Sequence, residues 1–438
     1  MQKYLYPLCL AAALCAVAAC KKDPAPPTPP AEERFRVHVH NHFNELQGRY
    51  ALWLSDADGR IRAFRWLPAE DSAQIEVPDS RTLDRFDCTI ARIAISESPG
   101  LGTRDTSITL QTYALVPHDR QVQLRNQRIG RMTDLSLNLL GVSTLDSIIV
   151  ADGLTFAKPL PANNFNGLYQ VLHTGRIWMR MLVNGEENWR FLYFDGINTP
   201  AFEVNDLDVN IMPIMFVKPT KVQMPFAAAW QYNVDGVVDT AGSQFLPLGD
   251  LRRAPGGAVP AFATLDVFEP IANSDFMPEP LPYGSYRIAV NGTGEQSDAY
   301  TYLHDAFYTK LPAALPTPAF DLEPTIQLGD RFAAVRCLGD FDLLTFVRQK
   351  SGTQHISWEA VVQPQNGGIV SYRLPDVPKE LGDLYPVLKN YNFGNTVRVR
   401  AEHFARYSDY EAIVSQRLVN TDPLWRAKGG YIAREEQY

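Results

Sequence analysis

Two stretches of this sequence interleave aromatic rings with guanidinium groups at strand spacing. In the first, Tyr50 to Ser55 and Arg60 to Trp66 flank the turn Asp56-Ala57-Asp58-Gly59. A hairpin that pairs Ser55 with Arg60 sets Leu54 against Ile61 and Leu52 against Ala63 on one side. On the other it sets Trp53 against Arg62 and Ala51 against Phe64, with Arg49 and Trp66 extending that side. In the second, Arg176 to Val183 and Trp189 to Asp195 flank Asn184-Gly185-Glu186-Glu187-Asn188. Pairing Val183 with Trp189 puts Met181 beside Phe191 and Met179 beside Tyr193, and leaves Trp178 against Phe194 with Arg176, Arg180 and Arg190 nearby. Each hairpin thus has a plain apolar side and a side of rings and arginines. Two readings of that mixed side stand. Long arginine stems or a neighbouring domain cover the rings, or the rings form a platform on which sugars stack while guanidinium groups bind hydroxyl or acidic groups.

Other residues with chemical capacity are sparser. His38, His40 and His42 alternate, so a strand would set the three imidazoles on one face about 7 Å apart, a weak candidate transition-metal site. Arg34 and Arg36 share that face, and fixed positive charge opposes a dication. Asp56-Ala57-Asp58-Gly59 lacks the glycine at the sixth and the glutamate at the twelfth position of a calcium loop and reads as a turn. There is no phosphate-binding glycine loop, nucleophile elbow, His-Glu-x-x-His or Cys-x-x-Cys. No motif calls for a cofactor or names a catalytic residue. Carboxylates distant in sequence, as polysaccharide hydrolases use, leave no spacing to read.

The elements that must position these residues are strands. Aromatics form 11% of the chain, and short alternating runs broken by turn residues dominate from Arg34 onward, so the expected fold class is all-β, a tandem array of β-sandwich, immunoglobulin-like domains. The expected units are residues 34–127, a middle region 128–325 with a division near 205–208, and 326–438. The first boundary follows the polar run Arg125-Asn126-Gln127-Arg128, the last the run with Pro312, Pro316, Pro318 and Pro324. A net charge of −8 with no long basic block excludes nucleic acid as an expected partner.

The first 33 residues carry the address. Lys3, the apolar run Leu5 to Ala19 and the small residues Ala18 and Ala19 before Cys20 form a signal peptide over 1–19 too short to span a membrane. Residues 20–33 then form a linker. Its segment Pro24-Ala25-Pro26-Pro27-Thr28-Pro29-Pro30 favours extended polyproline II, and at about 3.1 Å per residue the stretch from Lys21 to Glu33 holds the next unit about 40 Å from the lipid. Cys9 and Cys15 leave with the signal and Cys20 is the expected lipid site, so only Cys88 and Cys337 could pair, and both sit in strand-like runs that favour buried free thiols.

This N-terminal pattern resembles that of Gram-negative outer-membrane or surface lipoproteins, including those built from tandem immunoglobulin-like or fibronectin-like domains. The resemblance implies acylation of Cys20 and anchoring in the lipid bilayer, facing the periplasm or the cell surface. Lys21 stands where proteobacterial inner-membrane lipoproteins carry aspartate, which favours the outer membrane. The expected function is a tethered, non-catalytic binding or scaffolding protein with extracellular carbohydrate or an envelope protein as partner. Candidate ligand contacts are Trp53, Arg62, Phe64, Trp66, Arg176, Trp178, Arg180, Arg190 and Phe194. Open strand edges also suit pairing with a partner's strand. The alternative expectation is an envelope polysaccharide hydrolase.

Overall fold

The computed structural model describes residues 36–42, 49–68, 71–77, 85–97, 104–117, 119–125, 132–140, 145–151, 158–160, 166–172, 176–183, 189–195, 201–208, 217–238, 245–251, 261–270, 283–294, 300–329, 331–350, 354–365, 368–389, 393, 397–419, 422 and 424–438. The protein is all-β, as its alternating pattern requires. The signal, Cys20 and the proline-rich linker lie outside the described residues. Among the described residues no helix is long and apolar enough to cross a membrane.

The first unit contains β1 Arg36–His42, β2 Arg49–Ser55, β3 Ile61–Leu67, β4 Ser72–Glu76, β5 Arg85–Glu97, β6 Arg104–Pro117 and β7 Arg120–Arg125. Strands β4, β1 and β7 form one sheet, with β1 central, antiparallel to β4 and parallel to β7. Strands β6, β5, β2 and β3 run consecutively in a second sheet. A sandwich core joins Val37, Val39, Ile75 and Val122 of the first sheet to Leu52, Leu54, Cys88 and Ile90 of the second. Alternation explains the choice of residues, because period two sends every second side chain inward.

The middle region contributes β8 Met132–Leu140, β9 Leu145–Ala151, β10 Lys158–Leu160, β11 Asn166–Leu172, β12 Arg176–Val183, β13 Trp189–Asp195, β14 Ala201–Asp208, β15 Val217–Val237, β16 Phe245–Leu251, β17 Phe262–Pro270, β18 Ser285–Gly294, β19 Thr301–Tyr308 and β20 Phe320–Leu328. The last region adds β21 Phe332–Gly339, β22 Leu343–Lys350, β23 Gln354–Val362, β24 Ile369–Arg373, helix α1 Lys379–Leu384, β25 Arg398–Phe404, α2 Tyr410–Val419, α3 Trp425–Gly429 and β26 Tyr431–Gln437. The expected boundary at 325–326 falls inside β20, which pairs with β21. The proline run before it is docked on the neighbouring strands. Backbone bonds of 2.9 Å join Gln223 N to Ala313 O and Leu315 N to Gln223 O, and the Tyr302 hydroxyl donates to Pro316 O.

One sheet runs through strands from all three regions in the order β16-β15-β18-β19-β26-β25-β22-β23-β6-β5-β2-β3, with β17 also paired to β15. Its seams are β19 with β26, antiparallel, and β23 with β6, parallel. Residues 354–361 therefore hydrogen-bond directly to strand 106–113 of the first unit. The small sheet β20-β21-β24 contributes Leu322, Val335, Cys337 and Val370 to a second core shared with this sheet. Gly339 makes the turn after β21 at φ +99°, where a Cβ would stand 2.2 Å from Ala319 O. Cys88 and Cys337 are both buried and free.

Candidate functional site

The first aromatic–arginine hairpin forms, with its turn built by Asp56. Asp56 Oδ1 accepts the Asp58 and Arg60 amides at 3.1 and 2.9 Å, and Oδ2 accepts Arg62 Nε at 2.8 Å. Burial pushes the Asp56 carboxyl up, but the Arg60 amide, the Arg62 guanidinium and the Asp58 amide together hold it below the ordinary value. Gly59, at φ +80°, closes the turn.

The register differs from the expected one. Leu54 pairs with Ala63 and Ser55 with Ile61, so Arg62 is the extra residue of a bulge, and Trp53 lies opposite Phe64 with Ala51 opposite Trp66. A slip of two residues preserves each side's membership, so the mixed side still carries Arg49, Trp53, Phe64 and Trp66. That side faces inward. Trp53 is fully buried and meets Trp358 of β23 edge-on, centroids 6.5 Å apart, and Trp358 meets Phe393 in the same way at 6.4 Å. Trp53 is therefore a core residue, covered by the last region because β23 docks alongside β6. Phe64 and Trp66 are half-buried at the margin, in edge contact at 5.7 Å, and the Arg49 guanidinium lies 4.7 Å above the Trp66 ring. Arg62 is exposed and spends its guanidinium on Asp56.

The second hairpin is one residue out of the expected pairing. Trp178 registers with Tyr193, Arg180 with Phe191 and Arg176 with Asp195, while Arg190 registers with Met181 and Phe194 with Ile177. A one-residue slip exchanges the faces of one strand relative to the other. Arg190 and Phe194 thus share register positions with the apolar residues of β12, not with Trp178. The side chains of all five lie outside the described residues.

His38, His40 and His42 do lie on one strand, β1. His38 is half-buried, with Nε2 3.4 Å from Asp119 Oδ1, and Arg36 reaches Glu76 at 3.7 Å. The side chains of His40 and His42 lie outside the described residues. Among the described residues no three His, Cys, Asp or Glu side chains gather as a metal site.

Where the first unit meets the last, a buried polar seam lies beside Trp53. Ser55 registers with Asp87 and Trp53 with Thr89. Thr89 and Thr112 hydroxyls are 2.9 Å apart, and Trp358 Nε1 donates to Thr112 Oγ1 at 2.8 Å. Asp87 sits at a bulge in β5. Its carboxylate accepts the Leu115 amide and the Tyr372 hydroxyl of β24, each at 2.9 Å. Burial raises the Asp87 carboxyl to about 6; those two bonds lower it, and the nearby Asp56 charge raises it. Asp56 and Asp87 are thus two neighbouring carboxyls held apart in acidity, a pattern found in acid–base pairs. Here both are buried and held by structural hydrogen bonds.

Helix α2, capped by Asp409 Oδ1 on the Ala412 amide, fastens the same junction. The Tyr410 hydroxyl donates to Ala114 O and Val361 O, one on each side of the β6–β23 seam. Glu411 takes Arg85 and Arg120 of the first unit. Arg417 pairs with the fully buried Glu402, which Thr345 also contacts. Burial pushes Glu402 up, but the Arg417 and Arg400 charges hold it below the ordinary value.

Sequence reading missed Asp87, Tyr372, Glu402 and Arg417. Asp87 and Tyr372 are separated by 285 positions, and no local spacing signals such a pair.

No protein-family model matches the chain, and no curated protein does. Among solved structures, Escherichia coli alpha-2-macroglobulin activated by porcine elastase aligns with 84% of this chain and 42% of that one, at 8% identity and a TM-score of 0.13. The chain spans less than half of that protein's length, and the likeness is too slight to carry an argument.

Proposed function

We propose that the protein is a lipid-tethered, non-catalytic binding or scaffolding component of the bacterial envelope, anchored through acylated Cys20 in the outer membrane. The observation that carries this reading is the order of its parts: an apolar signal ending just before Cys20, a proline-rich spacer, then a strand at the centre of a sandwich sheet. The continuous sheet through three chain regions, clamped by α2, supports a scaffold that keeps its shape when attached at one end.

Of the two ligand classes, a partner protein fits the first hairpin better than a glycan does. Trp53, the ring a sugar would need at the centre of the platform, is buried against Trp358. By contrast, no described strand pairs with the outer edge of β3, the terminal strand of the long sheet, and an extended segment of a partner can add there. The test places a photo-crosslinking residue at Arg60 or Arg62 in the mature chain and screens the same chain on a glycan panel. A single saturable protein adduct from either position with no glycan binding is expected. Specific glycan binding that Trp66→Ala abolishes would replace the protein partner with carbohydrate. Catalytic turnover of an envelope polysaccharide by the purified chain would overturn the non-catalytic reading.

A further inference from the structure

The first strand of the fold is also the strand that follows the tether, and its pairing determines how a pull on the tether enters the molecule. Arg36 to His40 pair antiparallel with Glu76 to Ser72 of β4, and Val37 to His42 pair parallel with Arg120 to Arg125 of β7. Strand β1 is therefore hydrogen-bonded along both edges, with Val37 and Val39 buried against Val122 and the opposing sheet. Strand β7 is the last of the first unit, and the chain leaves it at Arg125 for the middle region.

Because β1 and β7 are parallel, Arg36 and Arg125 lie at opposite ends of the shared ladder. Tension between the tether and the chain beyond residue 125 draws the two strands past one another along their common axis. All the rungs then resist together. Had β7 been antiparallel, both points would lie at the same end and the rungs would open one at a time. The far strand is also braced, since Arg120 of β7 bonds Glu411 and Ser415 of helix α2.

We infer that β1 and β7 form a shear clamp, through which the first unit carries tension between a membrane-held N-terminus and the chain that leaves β7 at Arg125. The source of that tension rests on the lipid-tether reading; the clamp itself is a property of the fold and is measured without lipid.

The test is force-clamp spectroscopy on the full mature chain with paired handles. One pair uses Cys20 and Arg128→Cys, which shears β1 against β7. The other uses Glu45→Cys and Arg128→Cys in a Cys20→Ala background, which pulls from the ends of both strands on one side and unzips them. At equal force, unfolding through the shear pair is expected to be at least about tenfold slower, equivalent to about 1.4 kcal/mol or one to two hydrogen bonds in net worth. Val39→Ala is expected to speed the shear-pair unfolding and shrink the ratio, with Val122→Ala as the equivalent change on β7. Equal rates in the two geometries, or a ratio untouched by both valine variants, would overturn the clamp. Failure of acylation at Cys20 would instead remove the membrane tether and leave the measured ratio intact.

Discussion

Asp87 gives the sharpest energetic test of the junction between the first and last regions. Its carboxyl is buried, is raised to about 6 from an ordinary 3.8, and bonds Leu115 N and the Tyr372 hydroxyl. No cation pairs with it among the described ion pairs, and Arg62 pairs with Asp56. Because the folded value lies above the unfolded one, the folded chain holds the extra proton between about pH 4 and 6. The stabilisation is fully present below the unfolded value and is lost as pH rises through the folded one. At about 1.36 kcal/mol per pH unit over a gap of about two units, the loss is about 3 kcal/mol, complete above about pH 7. Asp87→Asn keeps the shape and an acceptor for the Leu115 amide but cannot ionise, at a cost of about 1 kcal/mol for the altered Tyr372 bond. In urea unfolding of the mature chain, the variant is expected to be slightly weaker than wild type near pH 4 and more stable by about 2 kcal/mol near pH 7.5. A variant weaker than wild type by the same amount at both pH values would refute the reasoning, because it would mean that Asp87 ionises in the fold as it does in water.

Further substitutions separate core, ion pair and backbone. Trp53→Ala is expected to cost about 3–5 kcal/mol in chemical denaturation, as an emptied aromatic core site does, whereas Trp66→Ala, half-buried under Arg49, should cost no more than about 1.5 kcal/mol; equal losses would restore Trp53 to the surface. Arg417→Met strands Glu402 in the interior and should cost about 3–5 kcal/mol, most of it recovered in the Glu402→Met/Arg417→Met double variant when the four proteins are compared as a thermodynamic cycle. Gly339→Ala should cost more than about 1 kcal/mol of stability and so lower the thermal midpoint, since its φ of +99° and the 2.2 Å approach to Ala319 O leave no room for a methyl group; an unchanged midpoint would show that the turn after β21 relaxes freely.

Much of the architecture was legible because strand periodicity is local. Tyr50 to Trp66 alone contains both faces, the Asp56–Gly59 turn and the hairpin, and only the bulge at Arg62 displaced the pairing. Side membership survived because the displacement was two residues. In the second hairpin the displacement was one, which moved Arg190 and Phe194 to other partners. The proline run at 312–324 reads as a boundary by composition, yet it docks on β15 through bonds to Gln223 that composition does not encode. The meaning of the aromatic–arginine side was the least legible. Whether Trp53 meets solvent or Trp358 depends on a parallel pairing between residues 106–113 and 354–361, more than half the chain apart. The polar seam of Asp87, Thr112 and Tyr372 depends on the same event.

The proposed role requires a body of joined sheets held to a bilayer by acylated Cys20. Metabolic labelling with palmitate in a Gram-negative host, wild type against Cys20→Ala, tests that most directly. Label incorporated into the wild type, with loss of both label and membrane fractionation in the variant, is the predicted result; a variant that remains labelled and membrane-bound would contradict it.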